Sequence, residues 1–208
     1  MEENRLRRKA TPYLLIVTVI WGGTFVWMKQ LLESAEANVE IWDPRPAVAL
    51  FVGLRFAIAF ILLSLIIPSS IKFESRRVEV WKGGILLGFL MFSGFALQMI
   101  ALAEITPAVS AFLTSLYVVF TALFGRALGQ QKLTKGLLFG VLLATIGAAL
   151  LGLEKGDTIG DMALSEFGWP EWMTVLGAAM FALHILATDY VTKRDDPVKL
   201  SATSFVAV

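Results

Sequence analysis

The chain has 208 residues, of which 57% are hydrophobic and only 17% charged, with a net charge of +1 and a mean hydropathy of +0.72. A soluble domain carries about a quarter charged residues, and here the apolar residues also fall in long runs, so the composition points to a polytopic membrane protein. The lack of cysteine excludes disulfides and thiolate metal sites, the single histidine excludes a multi-histidine metal site, and no Gly-rich phosphate loop argues for an ATP-driven pump. No metal, cofactor or nucleic acid is therefore expected.

Residues 1–11 form a basic tail with Arg5, Arg7, Arg8 and Lys9. The apolar run behind it is too long for the core of a signal peptide, and no small-x-small cleavage site follows. The first span is expected over 12–32. It contains Trp21-Gly22-Gly23-Thr24-Phe25, whose paired glycines permit close backbone approach or a local bend. Lys29, near its far end, is expected to snorkel to the interface. An acidic turn with Glu33, Glu36, Glu40 and Asp43 leads to a second span over 47–67, closed by Pro68. Arg55 lies inside that span. An arginine at mid-bilayer costs about 2.5–3.5 kcal/mol even on the lenient insertion scale, so it must face protein or water.

A basic loop with Lys72, Arg76, Arg77 and Lys82 precedes a third span over 83–103. Gly84, Gly88, Met91, Phe95 and Gln98 share one face there, and the Gly84-x-x-x-Gly88 pair is a helix-contact signature. The link at Glu104 and Ile105 is so short that the third and fourth spans must be antiparallel neighbours.

The fourth span, 106–128, is the stretch around which the others are organised. At about 100° per residue its side chains sort into three strips. Thr106, Ser110, Thr114, Tyr117 and Thr121 form a hydroxyl face; Ala108, Ala111, Ser115 and Ala122 a small face; Val109, Phe112, Leu116, Val119, Phe120 and Leu123 an oily face. Such a helix suits a polar cavity on one side, a neighbouring helix on the second and lipid on the third. The plainer reading is that the hydroxyls bond their own backbone one turn back.

Arg126, Lys132 and Lys135 mark another basic loop, followed by a fifth span over 136–153 with small residues at Gly136, Gly140, Ala144 and Ala148. Those residues are expected to pack helices rather than bind substrate. The loop 154–171 is acidic, and Trp169-Pro170 and Trp172 mark re-entry at an interface. The sixth span, 172–191, carries His184 and Thr188 on the face of Gly177 and Phe181. Asp189 and Lys193 are placed for a local ion pair. A seventh apolar stretch begins near Leu200, and the nine residues to Val208 are too few for a complete helical span.

Basic and acidic loops alternate without exception across the first six spans, which places the N-terminus in the cytoplasm. A repeated unit of five helices would have to return upside down, because five is odd. Inverted repeats are a transporter architecture. Direct similarity between 19–30 and 173–189 is weak, limited to small residues and aromatics.

The chain resembles the EamA-type permeases of the drug/metabolite transporter superfamily. The resemblance rests on Trp21-Gly22-Gly23-Thr24-Phe25, on Leu54-Arg55-Phe56, on Ala101-Leu102 with the run from Thr106 to Leu116, and on Lys132-Leu133-Thr134 before a Gly-rich span. Phe181-Ala182-Leu183-His184-Ile185 is similar to the opening helix of a second repeat. The resemblance implies an all-α polytopic bundle built as an inverted five-helix repeat. Residues 12–153 would be the first repeat, 154–171 an external loop and 172–208 the start of a truncated second repeat. Two departures stand out. Such permeases often carry a proline mid-way along the fourth helix, where this chain has Tyr117-Val118-Val119, so a straighter helix is expected. Gln131 stands where the family tends to have Glu, so the charge of that acid is lost or moved.

The expected function is secondary transport of a small metabolite, an amino acid or related amphipathic compound, across the inner membrane by alternating access. The expected substrate contacts are Trp21, Thr24, Arg55, Gln98, Ser110, Thr114, Tyr117 and His184. Several have a structural alternative: Arg55 as a partner of Glu104, Trp21 as packing beside Gly22, Gln98 as a bond between helices, and His184 as a bond to a neighbouring helix rather than a proton relay. A membrane enzyme would need clustered acids or histidines at one interface, and the acids here are scattered. The rival expectation is a truncated, non-transporting fragment or helix-bundle scaffold, since a half-length carrier would work only by forming a homodimer.

Overall fold

A computed structural model describes residues 2–38, 43–72, 77–129, 136, 138–140, 142, 143, 146 and 168–208. Most of the expected fifth span, its small-residue stripe, Gln131 and nearly all of the 154–171 loop lie outside the described residues. So does Trp42.

All regular structure among the described residues is helical. In chain order the helices are α1 (Glu2–Glu36), α2 (Pro44–Ile66), a 3-10 turn at Pro68–Ile71, α3 (Arg77–Leu102), α4 (Pro107–Ser115), α5 (Tyr117–Ala127), α6 (Trp169–Thr192) and α7 (Pro197–Ala207). Among the described residues, five segments are long and apolar enough to cross a bilayer: Leu15–Glu36, Pro44–Ile66, Val78–Leu102, Pro107–Ala127 and Trp169–Thr192. The protein is an all-α, multi-pass membrane bundle.

The helices start where polar caps and prolines coincide. Asp43 caps α2 by accepting from the Arg45 N–H at 2.9 Å, Asp196 caps α7 by accepting from the Val198 N–H at 2.8 Å, and each is followed directly by proline. Thr106 caps α4 with Pro107 behind it. Glu171, in the first turn of α6, accepts from the Gly168 N–H at 3.0 Å. Two helices begin well before the expected spans: α1 at Glu2, so that the basic tail is helical and continuous with the first span, and α3 at Arg77 rather than 83.

α3 is the hub. It packs against α2, α4, α6 and α7, while α6 also covers α4 and α5. Glycines make this possible. A Cβ on Gly94 would sit 2.6 Å from the Phe181 ring of α6, and one on Gly177 would sit 3.1 Å from the Gly94 carbonyl oxygen. Further along α3, a Cβ on Gly88 would lie 2.7 Å from the Ser204 carbonyl oxygen of α7, and one on Gly84 would collide with Thr203. The Gly84-x-x-x-Gly88 signature therefore receives α7, as its spacing suggests.

The core gathers Phe25, Met28 and Leu32 of α1, Val48, Val52 and Phe56 of α2, Phe95, Met99 and Leu102 of α3, and Phe181 of α6. α1 contributes only its C-terminal half. From Pro12 to Gly22 every residue whose side chain is described is exposed.

Candidate functional site

The aromatic centre of the bundle is Phe95. Its ring meets Phe181 edge-on at 5.2 Å between centroids and Phe56 at 5.8 Å, and Phe56 in turn meets Phe205 at 5.7 Å. T-shaped pairs of this kind set the electron-poor edge of one ring against the face of the other. The guanidinium of Arg55 lies over the Phe95 face, with Cζ 4.6 Å from the centroid. The ring quadrupole attracts the cation, which is how a charge inside an apolar span is held without a carboxylate. Glu104, the expected counter-ion, is not the partner, and no acid lies within ion-pair distance of Arg55 among the described residues. The geometric reason is that Glu104 is exposed in the α3–α4 link, beyond the end of α3 and more than two turns past Phe95.

One turn after Phe95 stands Gln98, buried at 2% exposure. Its Nε2 donates to Thr114 Oγ1 at 2.6 Å, tying α3 to α4. The Gln98 Oε1 has no partner, and neither has the Oγ of Ser110, a fully buried side chain one turn before Thr114. Two orphaned polar atoms in the interior of an apolar bundle are costly unless something else supplies the missing hydrogen bonds. The hydroxyl strip of the fourth span is thus of mixed character. Thr121 of that strip donates to the Tyr117 carbonyl at 2.7 Å, as the plainer reading has it, and so does Ser115 of the small face to the Phe112 carbonyl at 2.7 Å. Thr114 and Ser110 instead face the bundle interior.

The remaining expected residues surround this centre. Trp21 stacks on Tyr117 with centroids 6.5 Å apart, joining α1 to α5. Thr24 turns its hydroxyl onto its own helix, donating to the Trp21 carbonyl at 2.6 Å. His184 is half-buried on α6, one turn beyond Phe181, and its ring makes no hydrogen bond to another described residue. The structure therefore joins Arg55, Gln98 and Thr114 through Phe95 and α3, and pairs Trp21 with Tyr117. Phe181 and Phe205 were not expected at the site. Their signal in the sequence is faint, because an aromatic on an apolar span looks the same whether it meets lipid or another ring. Among the described residues, apolar grooves also lie elsewhere. One of about 300 Å³ is lined by Leu86, Leu90 and Leu186, and one of about 410 Å³ by Phe60, Trp81 and Val206. Their walls hold little polar chemistry.

Lys29 sits near the C-terminal end of α1, half-buried. Its Nζ donates to the carbonyls of Leu102 and Ala103, at 3.1 and 2.8 Å, where α3 ends. Carbonyls in the last turn of a helix have no partner within that helix and carry the negative end of its dipole, so a lysine from a neighbouring helix satisfies both. Glu33 stands 4.0 Å away, one turn further on. On α6, the Asp189–Lys193 pair forms at 2.6 Å as its spacing implies.

Comparison with known proteins places this arrangement. Residues 8–153 match the EamA-like transporter family. The chain belongs to that family. An uncharacterized transporter of Archaeoglobus fulgidus is 28% identical over 153 residues, covering 73% of this chain and 42% of that protein. This EamA-like chain thus spans less than half the length of that relative. No solved structure matches it significantly.

Proposed function

We propose that this EamA-like protein is a secondary carrier, moving a small amphipathic metabolite such as an amino acid across the inner membrane by alternating access. One observation carries the reading: a guanidinium inside an apolar span lies over the Phe95 ring with no acid in ion-pair distance among the described residues, and one turn past Phe95 the Gln98 Oε1 is unpartnered, as is the Ser110 Oγ. Arg55 has five N–H donors and would take an anionic group in a charge-assisted pair. The aromatic rings would take an apolar body, and the Gln98 Oε1 and Ser110 Oγ would accept hydrogen bonds from N–H or O–H groups of the same compound. The alternation of basic and acidic loops supports a cytoplasmic N-terminus.

The test is flux of radiolabelled amino acids and small organic acids in vesicles holding the purified chain. The expected result is flux above empty vesicles that falls at least tenfold in Arg55→Gln while Glu104→Gln leaves it intact, a rise of about 1.4 kcal/mol or more in the barrier to transport. Flux equal to that of empty vesicles for every compound would end the carrier reading for this chain. The short coverage of the relative favours a second reading, in which a half-length bundle transports only when a further set of helices, such as a second copy, completes it. Crosslinking in the same vesicles separates the two.

A further inference from the structure

The face of the bundle where α2 ends and α3 and α7 begin carries a groove that the transport reading does not use. It has a volume of about 410 Å³ and is lined by Phe60 of α2, Ile71 of the 3-10 turn, Trp81 of α3, and Ala202, Thr203 and Val206 of α7. Phe60 lies six residues before the end of α2, and Val206 nine residues into α7. At a rise of 1.5 Å per residue, the groove reaches about 9–14 Å inward from those helix ends, the depth of the outer part of an acyl chain.

The wall is apolar even at Thr203. Its hydroxyl is occupied by backbone, with Oγ1 3.0 Å from both the Lys199 and the Leu200 carbonyl and 3.4 Å from that of Val80. Water finds no partners on such a wall. A helix about 10 Å across fills about 420 Å³ per 5.4 Å turn, so the groove would seat one turn of a further span and not its length. A hydrocarbon chain suits both the depth and the chemistry.

The mouth is charged. Lys72 follows Ile71, Lys82 follows Trp81, and Lys199 stands one turn before Thr203. Three separate elements thus each set a lysine beside a lining residue. Lys72 and Lys82 are exposed and Lys199 is half-buried. No acid lies within ion-pair distance of any of them among the described residues. The acids of this face are placed otherwise. Asp189 pairs with Lys193, Asp196 caps α7, and Glu79 lies in the first turn of α3, where the positive end of the helix favours a carboxylate. Lys199 lies in the first turn of α7, the wrong end of the dipole for a cation, and an anion held there would offset that repulsion. Side chains lean towards the start of their helix, so Lys82 and Lys199 lean towards the membrane surface. Basic side chains clustered at the ends of spans attract anionic lipid headgroups.

We propose that this groove binds an anionic phospholipid. One acyl chain lies between α2, α3 and α7, and Lys72, Lys82 and Lys199 hold the headgroup phosphate. Trp81, an aromatic of the kind that sits at the headgroup level, marks the border between the two. The site does not depend on the transport reading.

The chain has no cysteine, so a single introduced one carries the sole label. Val206→Cys with a bimane reports the groove. Leu62→Cys, two residues and so about 200° on from Phe60, reports the other side of α2. Each labelled chain, in phosphatidylcholine vesicles, is titrated with phosphatidylglycerol or phosphatidylcholine bearing a nitroxide on its acyl chain. The expected result at Val206 is half-quenching at a fraction of the glycerol lipid at least fivefold lower than of the choline lipid, with no such preference at Leu62. Lys82→Gln lowers the preference in part. Lys72→Gln, Lys82→Gln and Lys199→Gln together abolish it, while quenching by the choline lipid persists. Equal quenching by the two lipids at Val206, an equal preference at Leu62, or a preference that survives the triple substitution would each overturn the proposal. Weak quenching by both lipids at Val206 would overturn it too, because protein, such as a second copy or a further helix, would then fill the groove.

Discussion

At the scale of single residues, the bundle relies on cations satisfied by unusual partners. Arg55 uses a ring face, and Lys29 uses the carbonyls that end another helix. Replacing Lys29 by Met keeps the length and apolar stem but strips two backbone acceptors of their donor. The expected loss is about 1–3 kcal/mol, seen as a lower melting temperature in detergent, with Lys29→Arg recovering part of it. Asp43 is a milder case. Hydrogen bonding to the Arg45 side chain, and then to its backbone N–H, holds the Asp43 carboxyl below its ordinary value. A depressed carboxyl contributes stability that is present above its unfolded value, about 3.9, and fades as pH falls through the lower folded value. The start of α2 should therefore keep its amide protection at pH 4 and lose it only in stronger acid, whereas Asp43→Ala frays at every pH. Sequence showed that Arg55 and Lys29 needed partners. It could not show which, because Phe95 and the Leu102 carbonyl lie 40 and 73 positions away along the chain.

At the scale of elements, the fourth span departs most from its expected form. Without a proline it was expected to run straight, yet it divides at Leu116 into α4 and α5. The cause is local. Ser115 Oγ donates to the Phe112 carbonyl at 2.7 Å, the oxygen that the Leu116 N–H would use in a regular ladder. That N–H turns instead to the Leu113 carbonyl at 3.2 Å. Ser115→Ala should let the ladder close, with amide exchange at Leu116 slowing and stability rising by a few tenths of a kcal/mol, about the scale of such back-bonds. The α3–α6 seam is stricter. Gly94→Ala places a methyl 2.6 Å from the Phe181 ring, and either the ring or the helix must move. The expected cost is about 1–3 kcal/mol, read from thermal unfolding, and it should shrink when Phe181→Leu is added.

At the scale of the whole molecule, the described helices form a bundle centred on α3 rather than on the fourth span. Five of the spans read from the sequence are present with ends within a few residues, apart from the starts of α1 and α3. Charge patterning leads to a further prediction. Single cysteines at Lys72 and Leu128 should react with an impermeant maleimide only from the cytoplasmic side of sealed vesicles, and one at Glu104 only from the other side. The opposite pattern would invert the topology.

Sequence by itself determined the class of this protein and the places of the five spans seen among the described residues, because hydropathy and loop charge are sums over neighbouring residues and need no knowledge of contacts. It also marked which polar side chains were out of place in an apolar setting. Only the tertiary structure decided what those side chains touch: that Phe95 carries Arg55, that Gln98 reaches Thr114, that Gly84 and Gly88 admit α7. The physical reason is that in a membrane every span is greasy. Hydropathy is then the same for a face on lipid and a face on another helix, and shape and hydrogen bonding between distant parts of the chain choose the neighbours.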